Sequence, residues 1–352
     1  GYTDINLTKD LTLTINGNVY NYDTRYTYTN SPFVDYYTNS SDNGYLSKSS
    51  SRTYSYNAQQ LLNYNKRINN HDISALLGHE YYNYKFEYLA ASGRNFGIDN
   101  TTELGTVLNL NNDPNSFANT YNNEGYFFRG MYNYAAEYFG SVSYRRDASS
   151  RFSQDDRLGN FWSIGGAWLI SKEDFFAADW VNTLKVKASY GSQGNDKIGN
   201  YLYADSYNVI NNNNEAAYQW RQKGAKDITW ETNTNLNIGA EFDLFNRRLS
   251  GSVDYFNRTT TDMLFSLNTP PSIGYTSYYL NLGDMRNSGI ELVLNANIIN
   301  KKDFQWDINF NITHVKNKVL SLPNDIKTTQ VEGYQGYVNL DKSFVSKYKY
   351  FV

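Results

Sequence analysis

The sequence predicts an all-β protein, an antiparallel meander that forms part of a transmembrane β-barrel. The first observation is composition: 34 Tyr and 19 Phe favour strands, and only 5 Pro interrupt them. The second is a period-two alternation of apolar and polar residues over segments longer than the usual globular strand. These segments match the roughly nine to eleven residues that a tilted strand needs to cross a bilayer. The third is that short and long connections alternate along the chain.

The clearest alternation lies in 304–312, where the apolar residues occupy the even positions and the polar residues the odd ones. The alternation recurs in 236–244 and 290–298, with apolar residues at even positions, and in 11–19, with apolar residues at odd positions. Because successive side chains of a strand point to opposite faces, each segment has one apolar and one polar face. We expect the apolar face to meet lipid and the polar face to line the lumen. The predicted lumen residues include Glu241, Asp243, Asn295, Asn309 and Asn311.

The connections of the predicted strands fall into two classes by length. About eleven strands are predicted, near 10–28, 52–66, 72–82, 126–134, 138–147, 160–170, 183–192, 233–245, 248–262, 288–299 and 304–318. Short and long connections alternate between these strands. The short turns are 67–71, 135–137, 246–247 and 300–303, together with a longer link at 171–182. The long polar stretches are 29–51, 83–125, 148–159, 193–232 and 263–287. All short connections therefore lie on one rim, an asymmetry typical of outer-membrane barrels. Whether 319–352 adds strands stays open.

The strand predicted at 138–147 ends in two arginines. Val142 and Tyr144 are expected to face lipid, whereas Ser143 and Arg145 face the lumen. Arg146 has lipid-facing parity, so it is expected at the outer interface, where an arginine costs about 0–1 kcal/mol rather than the 2–4 of mid-depth. The arginines then mark the edge of the membrane. The alternative is the charged end of a hairpin in a soluble protein.

Composition and motif spacing argue against catalysis and metal binding. The net charge of −3 argues against nucleic-acid binding, and the absence of Cys excludes disulfides and thiolate sites. His71, His79 and His314 are scattered, without the spacing of a zinc site. The glycines of 191–195 lack the Lys-Ser/Thr of a P-loop and are interpreted as a strand end opening into an outer loop. We predict no catalytic residue, metal or cofactor, and no enzymatic activity.

The long stretches carry two kinds of candidate binding residue. The Asn-rich segments 109–116 and 208–220 offer oxygen ligands for calcium, although turn formation also explains them. Aromatic residues in these stretches are suited to stacking on sugar rings, to packing on a partner protein or to packing within the loops; they are Tyr201, Tyr203, Tyr218, Trp220 and Trp230. The alternatives stay open, and the substrate-binding residues are unknown.

Several segments, in order along the chain, carry a resemblance to one family. They are YRRDASSRF (144–152), LGNFWSIGGAWLISKEDFF (158–176), LKVKASYGSQGNDKIGNY (184–201), FNRTTTDMLF (256–265), MRNSGIEL (285–292) and FQWDINFNITHVKNKVLSL (304–322). The first is similar to the family pattern R-x-DGSSRF, with Ala148 in place of the usual Gly. Together they resemble the SusC/RagA family of TonB-linked outer-membrane transporters.

The resemblance implies a larger protein and a function. In that family a signal sequence, a TonB box and a plug domain precede a barrel of about 22 strands. Residues 1–352 are then a partial barrel domain, roughly the middle half of the wall, without those N-terminal parts. The implied function is import of glycan or peptide oligomers across the outer membrane of a Gram-negative cell. The implied partners are a SusD-like lipoprotein, TonB–ExbB–ExbD acting through the plug, and membrane lipid.

Two other classes of protein share parts of this pattern. A passive outer-membrane pore or a surface adhesin barrel has the same alternation but closes its barrel within these residues. A soluble extracellular β-sandwich buries the apolar faces between two sheets. The exposure of the apolar faces distinguishes the sandwich from the membrane barrels.

Overall fold

The computed structural model describes residues 1–30, 44–96, 101–269, 271–275, 277–321, 328–330 and 337–339. The strands are β1 (Tyr2–Asn6), β2 (Leu11–Asn30), β3 (Tyr45–Ile68), β4 (His71–Phe96), β5 (Val107–Tyr134), β6 (Tyr138–Ser149), β7 (Leu158–Leu169), β8 (Val181–Asn195), β9 (Ser206–Asn212), β10 (Glu215–Gln222), β11 (Glu231–Leu244), β12 (Leu249–Thr261), β13 (Leu264–Asn268), β14 (Ser277–Asn281), β15 (Asp284–Lys301), β16 (Phe304–Ser321), β17 (Thr328–Gln330) and β18 (Tyr337–Asn339). Short 3₁₀ turns lie at Leu104–Thr106, Ile170–Lys172 and Pro271–Ile273. Within these ranges no helix is long and apolar enough to cross a membrane.

The strands form one large sheet and three hairpins. The 12-stranded sheet has the order β1-β2-β3-β4-β5-β6-β7-β8-β11-β12-β15-β16. Wherever chain neighbours are both in this sheet they are adjacent in it, which confirms the predicted meander. The hairpins β9–β10 and β13–β14 lie within the two longest connections, and β17–β18 follows β16. Each predicted strand corresponds to a strand of the sheet, whereas β1 was not predicted.

The chain divides into two compact units. The first contains Gly1–Thr3, Ile15–Gln60 and Glu80–Glu124, and the second contains Asp4–Thr14, Leu61–His79 and Gly125–Val352. The first unit is built from β-structure with polar and ring contacts. An Arg52–Asp23 ion pair of 2.7 Å and a tilted Tyr56–Tyr81 ring pair join its strands.

Within the first unit the predicted loop 83–125 is wrong. Strand β4 continues to Phe96 and β5 already begins at Val107. The predicted loop 29–51 is also too long, because β3 begins at Tyr45. The alternation does continue into β4, where Tyr82, Tyr84, Phe86 and Tyr88 alternate with Asn83, Lys85 and Glu87. The prediction took this aromatic stretch for part of a loop.

In the second unit the connections are sorted by length with one exception. Among its described residues one edge carries 69–70, 135–137, 170–180, 245–248 and 302–303, called the short links, and the other edge carries 150–157, 196–230 and 262–283, called the long links. The exception is 170–180, which is longer than 150–157. Since each strand runs antiparallel to its neighbours, the short links lie at one edge of the strands and the long links at the other. The segment 319–352, in which further strands were left open, is described only at 319–321, 328–330 and 337–339; the rest lies outside the described residues.

The register of the second unit keeps apolar and polar positions in separate rows across five strands. One row is apolar throughout and consists of Val186, Ala240, Val253, Leu292 and Ile312. The next row lies on the opposite face and consists of Lys187, Gly239, Asp254, Glu291 and Thr313. A one-residue slip would exchange the two faces, so the matched rows fix the register.

The apolar face of the sheet is exposed and is not covered by other described residues. Ile164 is 57% exposed, Ile238 50% and Phe310 49%, and none of these contributes to a buried core. The buried hydrophobic cluster of the described residues lies instead around Phe152 and Trp230, in the long connections. A soluble sandwich would cover such a face with a second sheet. The exposure therefore indicates a membrane barrel and excludes the sandwich interpretation.

Candidate functional site

The polar face of the second unit carries a three-strand cluster of ion pairs. Lys187 Nζ on β8 lies 2.8 Å from Glu241 Oε1 on β11 and 3.0 Å from Asp254 Oδ1 on β12. Lys185 Nζ lies 3.4 Å from the second Glu241 oxygen. These side chains are only partly covered, so the cluster fixes geometry more than it adds stability.

Gly239 makes the Lys187–Asp254 ion pair possible. It lies on β11 directly opposite both Lys187 and Asp254. A Cβ at Gly239 would collide with the Asp254 carboxylate and would lie 3.0 Å from Lys187 Cε. Because glycine has no side chain there, the lysine reaches over the backbone of β11 to the next strand. Glycine serves here to admit a close approach.

Beside this cluster lies a groove of about 890 Å³. Its floor is made by small residues of β6 and β7, among them Gly140, Gly165 and Ala167. Arg129 on β5 and Lys185 on β8 flank the floor on either side. Acidic lining residues lie farther out in the strand order; they are Asp72 on β4, Asp254 on β12 and Glu291 on β15.

The predicted lumen residues lie close together on this polar face. Asp243, Asn295 and Asn309 belong to one row, which also includes Ser250. Glu241 and Asn311 belong to the adjacent row, with Ser252 and Val293 between them. The sequence thus located the face correctly. The sequence analysis did not name Lys185 and Lys187 as partners of Glu241. Both lysines occupy odd positions of a strand whose even positions are apolar, and this alternation predicts that they lie on the polar face.

The segment 144–152 forms structure at the long-connection edge. Ser149 Oγ donates to Asp196 Oδ2 at 2.7 Å, and Arg151 Nη1 donates to the Asp196 carbonyl at 2.9 Å. Arg145 Nε lies within 2.8 Å of both Asp147 oxygens. Ser149 is fully buried and Asp147 nearly so. The arginine-rich segment therefore ties the 150–157 and 196–230 connections together.

A hydrophobic cluster, here called the rim core, completes this edge; it consists of Phe152, Phe161, Ala225, Ile228 and Trp230. The Trp230 ring lies 5.4 Å from that of Phe152 and 5.3 Å from that of Phe161. Trp230 Nε1 donates to the Arg157 carbonyl at 2.9 Å. A Cβ at Gly194 would collide with the Phe161 ring. The strand end predicted at 191–195 is confirmed, since β8 ends at Asn195.

The aromatic residues of the long connections divide between the rim core and solvent. Trp230 is buried and Tyr203 packs against the rim core, so these two pack within the loops. Tyr218 is 72% exposed, and Tyr201 and Trp220 are also exposed. The sequence did not distinguish these groups, because the distinction depends on contacts between distant segments.

The β9–β10 hairpin presents three exposed aromatic side chains, Tyr207, Tyr218 and Trp220. Trp220 and Tyr207 form a cross-strand ring pair at 5.3 Å. At its tip Asn213 and Asn214 have positive φ, and the Asn214 N–H donates to Asn211 Oδ1 at 2.7 Å. Turn formation therefore explains the Asn-rich segment 208–220. The other Asn-rich segment, 109–116, lies in β5 rather than in a loop.

Asp205 makes two polar contacts at the base of this hairpin. It accepts a 2.7 Å hydrogen bond from the Gly224 N–H and lies 3.6 Å from Lys223 Nζ. These two contacts lower the pKa of the Asp205 carboxyl, with the hydrogen bond the larger cause. The ionised Asp205 carboxylate therefore stabilises the base of the hairpin at pH values above the ordinary carboxyl pKa. This stabilisation is lost as the pH falls through the lowered pKa, because the carboxylate becomes protonated.

At the short-link edge, aromatic side chains form a girdle. His71 Nδ1 lies 2.6 Å from the Tyr132 hydroxyl, and Tyr138 stacks on Trp168. In the 170–180 link, Glu173 accepts hydrogen bonds from the Tyr138 hydroxyl and from Trp168 Nε1. These bonds lower the pKa of the Glu173 carboxyl, the tyrosine contributing most. Tyrosine and tryptophan are suited to the membrane–water interface, which this edge then marks.

The three histidines of the sequence analysis lie on two strands. His71 and His79 lie on β4, and His314 lies on β16. Among the residues that the structure describes, no group of three His, Asp or Glu side chains is placed to hold a metal ion.

A meander with a bare apolar face, a charged polar face and connections sorted by length defines the wall of an outer-membrane β-barrel. The chain belongs to the TonB-dependent receptor-like β-barrel family, whose family model matches residues 1–348. This assignment places the chain in the outer membrane of Gram-negative bacteria.

Curated relatives agree with that assignment. The chain is 32% identical over 281 residues to TonB-dependent receptor P39 of Formosa agariphila, covering 77% of this chain and 27% of that protein. It is 34% identical over 209 residues to TonB-dependent receptor SusC of Bacteroides thetaiotaomicron, covering 56% of this chain and 21% of that protein. The chain therefore spans about a quarter of the length of the curated relatives it matches.

Solved structures share the fold. A structure of the RagAB peptide transporter matches 96% of this chain and 38% of that chain, with a TM-score of 0.88 and 28% identity. The siderophore receptor PiuA of Acinetobacter baumannii matches with a TM-score of 0.53 and 14% identity, which shows the fold alone.

Proposed function

We propose that this chain is a wall segment of a TonB-dependent importer that takes up glycan or peptide oligomers. The observation that carries the proposal is the likeness to the RagAB peptide transporter over 96% of the chain. The similarity to SusC supports the same class of importer. The chain itself supplies a passive part: an apolar face toward lipid, a polar face toward the lumen and anchored outer loops.

The domain proposal is that these residues are part of a larger barrel of about 22 strands. In the described sheet, β1 and β16 are the terminal strands. Within a bilayer an open sheet edge leaves backbone N–H and C=O groups unpaired, each at a cost of several kcal/mol. Further strands of the same protein would satisfy these edges. A signal sequence, a TonB box and a plug domain would belong to the rest of the protein.

The proposed partners act at the two edges of the wall. A SusD-like lipoprotein would cover the long connections, where the exposed Tyr218 and Trp220 offer amphipathic surface. TonB–ExbB–ExbD would act from the other side through the plug. The chain would contribute no catalytic residue.

Energy coupling distinguishes this importer from the alternative, a passive pore or adhesin barrel. Cells that produce the full-length protein with its lipoprotein are expected to accumulate labelled oligosaccharide or oligopeptide, and deletion of TonB should abolish the accumulation. The measurement is uptake in paired strains with and without TonB, with a strain lacking the barrel as background. Uptake that is unchanged without TonB, together with steady conductance in planar bilayers, would establish a passive pore instead.

A further inference from the structure

We propose that the ends of β15 and β16 at the long-link edge hold the phosphate-bearing headgroup of an outer-leaflet lipid, on the lipid-facing side of the wall. The site consists of three cations, here called the basic edge: Arg286 on β15, and Lys316 and Lys318 on β16. The inference goes beyond the proposed importer function and depends only on the membrane assignment. The basic edge lies wholly within the second unit of the chain.

The basic edge lies on the same face as the apolar row. On β15, Arg286 is an even number of residues from Leu292 of that row. On β16, Lys316 and Lys318 are an even number of residues from Ile312. The pairing of the two strands is regular across this interval, so all three cations share the lipid-facing side. They lie near the start of β15 and the end of β16, at the edge that carries the long links.

The register places the three cations beside one another. Arg286 is paired directly with Lys318, and Lys316 lies on the diagonal from Arg286. The Cβ atoms of such residues are about 5 Å apart when opposite and about 7–8 Å apart on the diagonal. Like charges directly opposite each other destabilise a sheet, and an anion bound between them would remove that cost. The chain has a net charge of −3, so this concentration of cations is local.

The basic edge has no acidic partner among the described residues. Its three cations are exposed. Arg286 Nε donates to Thr259 Oγ1 on β12 at 3.3 Å, whereas its other guanidinium nitrogens and the two ammonium groups have no hydrogen bond or ion pair within the described part of the chain. Asp284 lies two positions before Arg286, but it accepts hydrogen bonds from Ser321 Oγ at 2.7 Å and from the Asp262 N–H at 3.3 Å.

The neighbouring strands add hydroxyl groups to the same row. The row that contains Arg286 and Lys318 continues through Thr259 on β12, Thr234 on β11 and Ser192 on β8. A guanidinium group binds phosphate through two parallel hydrogen bonds, and an ammonium group binds it as a point charge. Hydroxyl groups donate to the remaining headgroup oxygens. The row is therefore suited to a phosphorylated, polar headgroup.

The apolar side chains beside the basic edge favour a lipid over a soluble anion. Ile290 and Ile312 lie on the same face, farther from the long-link edge, and are 52% and 53% exposed. A lipid would place its acyl chains along these isoleucines and its phosphate between Arg286 and Lys318. Burial of the acyl chains and attraction of the phosphate then act together. Inorganic phosphate would contact the cations alone.

Native mass spectrometry of the full-length protein in detergent, titrated with monophosphoryl lipid A, tests the proposal. Arg286→Gln combined with Lys318→Gln is expected to weaken binding by about tenfold or more, because two of the three cations lose their charge. Lys301→Gln combined with Lys302→Gln removes the same charge at the other end of this strand pair and should leave binding unchanged. Each protein is first shown to fold by the heat-dependent mobility of the barrel.

The lipid itself provides the second arm. Dephosphorylated lipid A should bind the wild type as weakly as monophosphoryl lipid A binds the Arg286→Gln, Lys318→Gln protein, and equal binding of the two lipids to the wild type would overturn the proposal. Displacement of the lipid by an equal concentration of inorganic phosphate would assign the basic edge to a soluble anion instead. Failure of the wild type to bind monophosphoryl lipid A would indicate that a carboxylate of the adjoining wall neutralises the cations, and would also overturn it. None of these outcomes bears on TonB-dependent uptake, which tests the proposed function.

Discussion

Replacing Val253 with arginine is expected to lower the free energy of unfolding of the barrel in lipid bilayers by about 2–4 kcal/mol. Val253 lies in the apolar row near the middle of the span and is 42% exposed. If that exposed surface meets hydrocarbon, an arginine there must lose hydration or distort the bilayer. The measurement is denaturant unfolding of the full-length protein in liposomes, followed by tryptophan fluorescence.

The adjacent residue provides the matched control. Ser252 lies on the polar face of β12, opposite Glu241, so Ser252→Arg places the same charge in the lumen beside a carboxylate. We expect a change within about 0.5 kcal/mol. Equal effects of Val253→Arg and Ser252→Arg would show that the two faces have the same environment and would contradict the membrane assignment.

Phe152→Ala is expected to destabilise the rim core by about 3–5 kcal/mol, because it removes a fully buried aromatic side chain. This destabilisation should be confined to the long connections that the rim core joins. The rim core joins long connections, whereas the transmembrane strands are held by their own backbone ladders. The 196–230 connection should therefore exchange its amide hydrogens faster and become sensitive to protease, while the barrel stays assembled.

Tyr218→Ala is the control for this prediction, since it removes an aromatic side chain of the same loop that is 72% exposed. It should leave amide exchange in the loop close to that of the wild type. Loss of the assembled barrel in Phe152→Ala would contradict a role confined to the rim. Unchanged exchange in 196–230 would contradict the rim core itself.

The transmembrane part of the fold was predictable because one physical constraint acts on every second residue. Lipid on one face and water on the other impose the alternation seen in 236–244 and 304–312. Beyond residue 82 in β4 the alternation continues with Tyr and Phe in place of aliphatic residues, and β4 runs to Phe96. The prediction assigned this stretch to a loop, because tyrosine is suited both to strands and to exposed loops.

The candidate site was predictable only in part. Alternation placed Glu241 and Asn311 on the polar face, but not the Lys187 bridge, which depends on register across three strands. Arg145 and Arg146 were interpreted as the edge of the membrane, but the structure of the segment 144–152 that contains them was not predicted. Its contacts to Asp196 and the packing of Phe152 on Trp230 join residues far apart in sequence. Such contacts cannot be derived from one segment alone.

Single-cysteine scanning of β12 tests the central claim most directly, because residues 1–352 contain no Cys. Cysteines at successive positions from 250 to 257, in a full-length protein without other cysteines, would each carry an environment-sensitive fluorophore in liposomes. We predict that odd positions, including Val253 and Tyr255, are quenched by brominated lipid and that even positions are quenched by aqueous iodide. Uniform quenching by iodide along the strand would contradict the account, because the apolar face would then meet water.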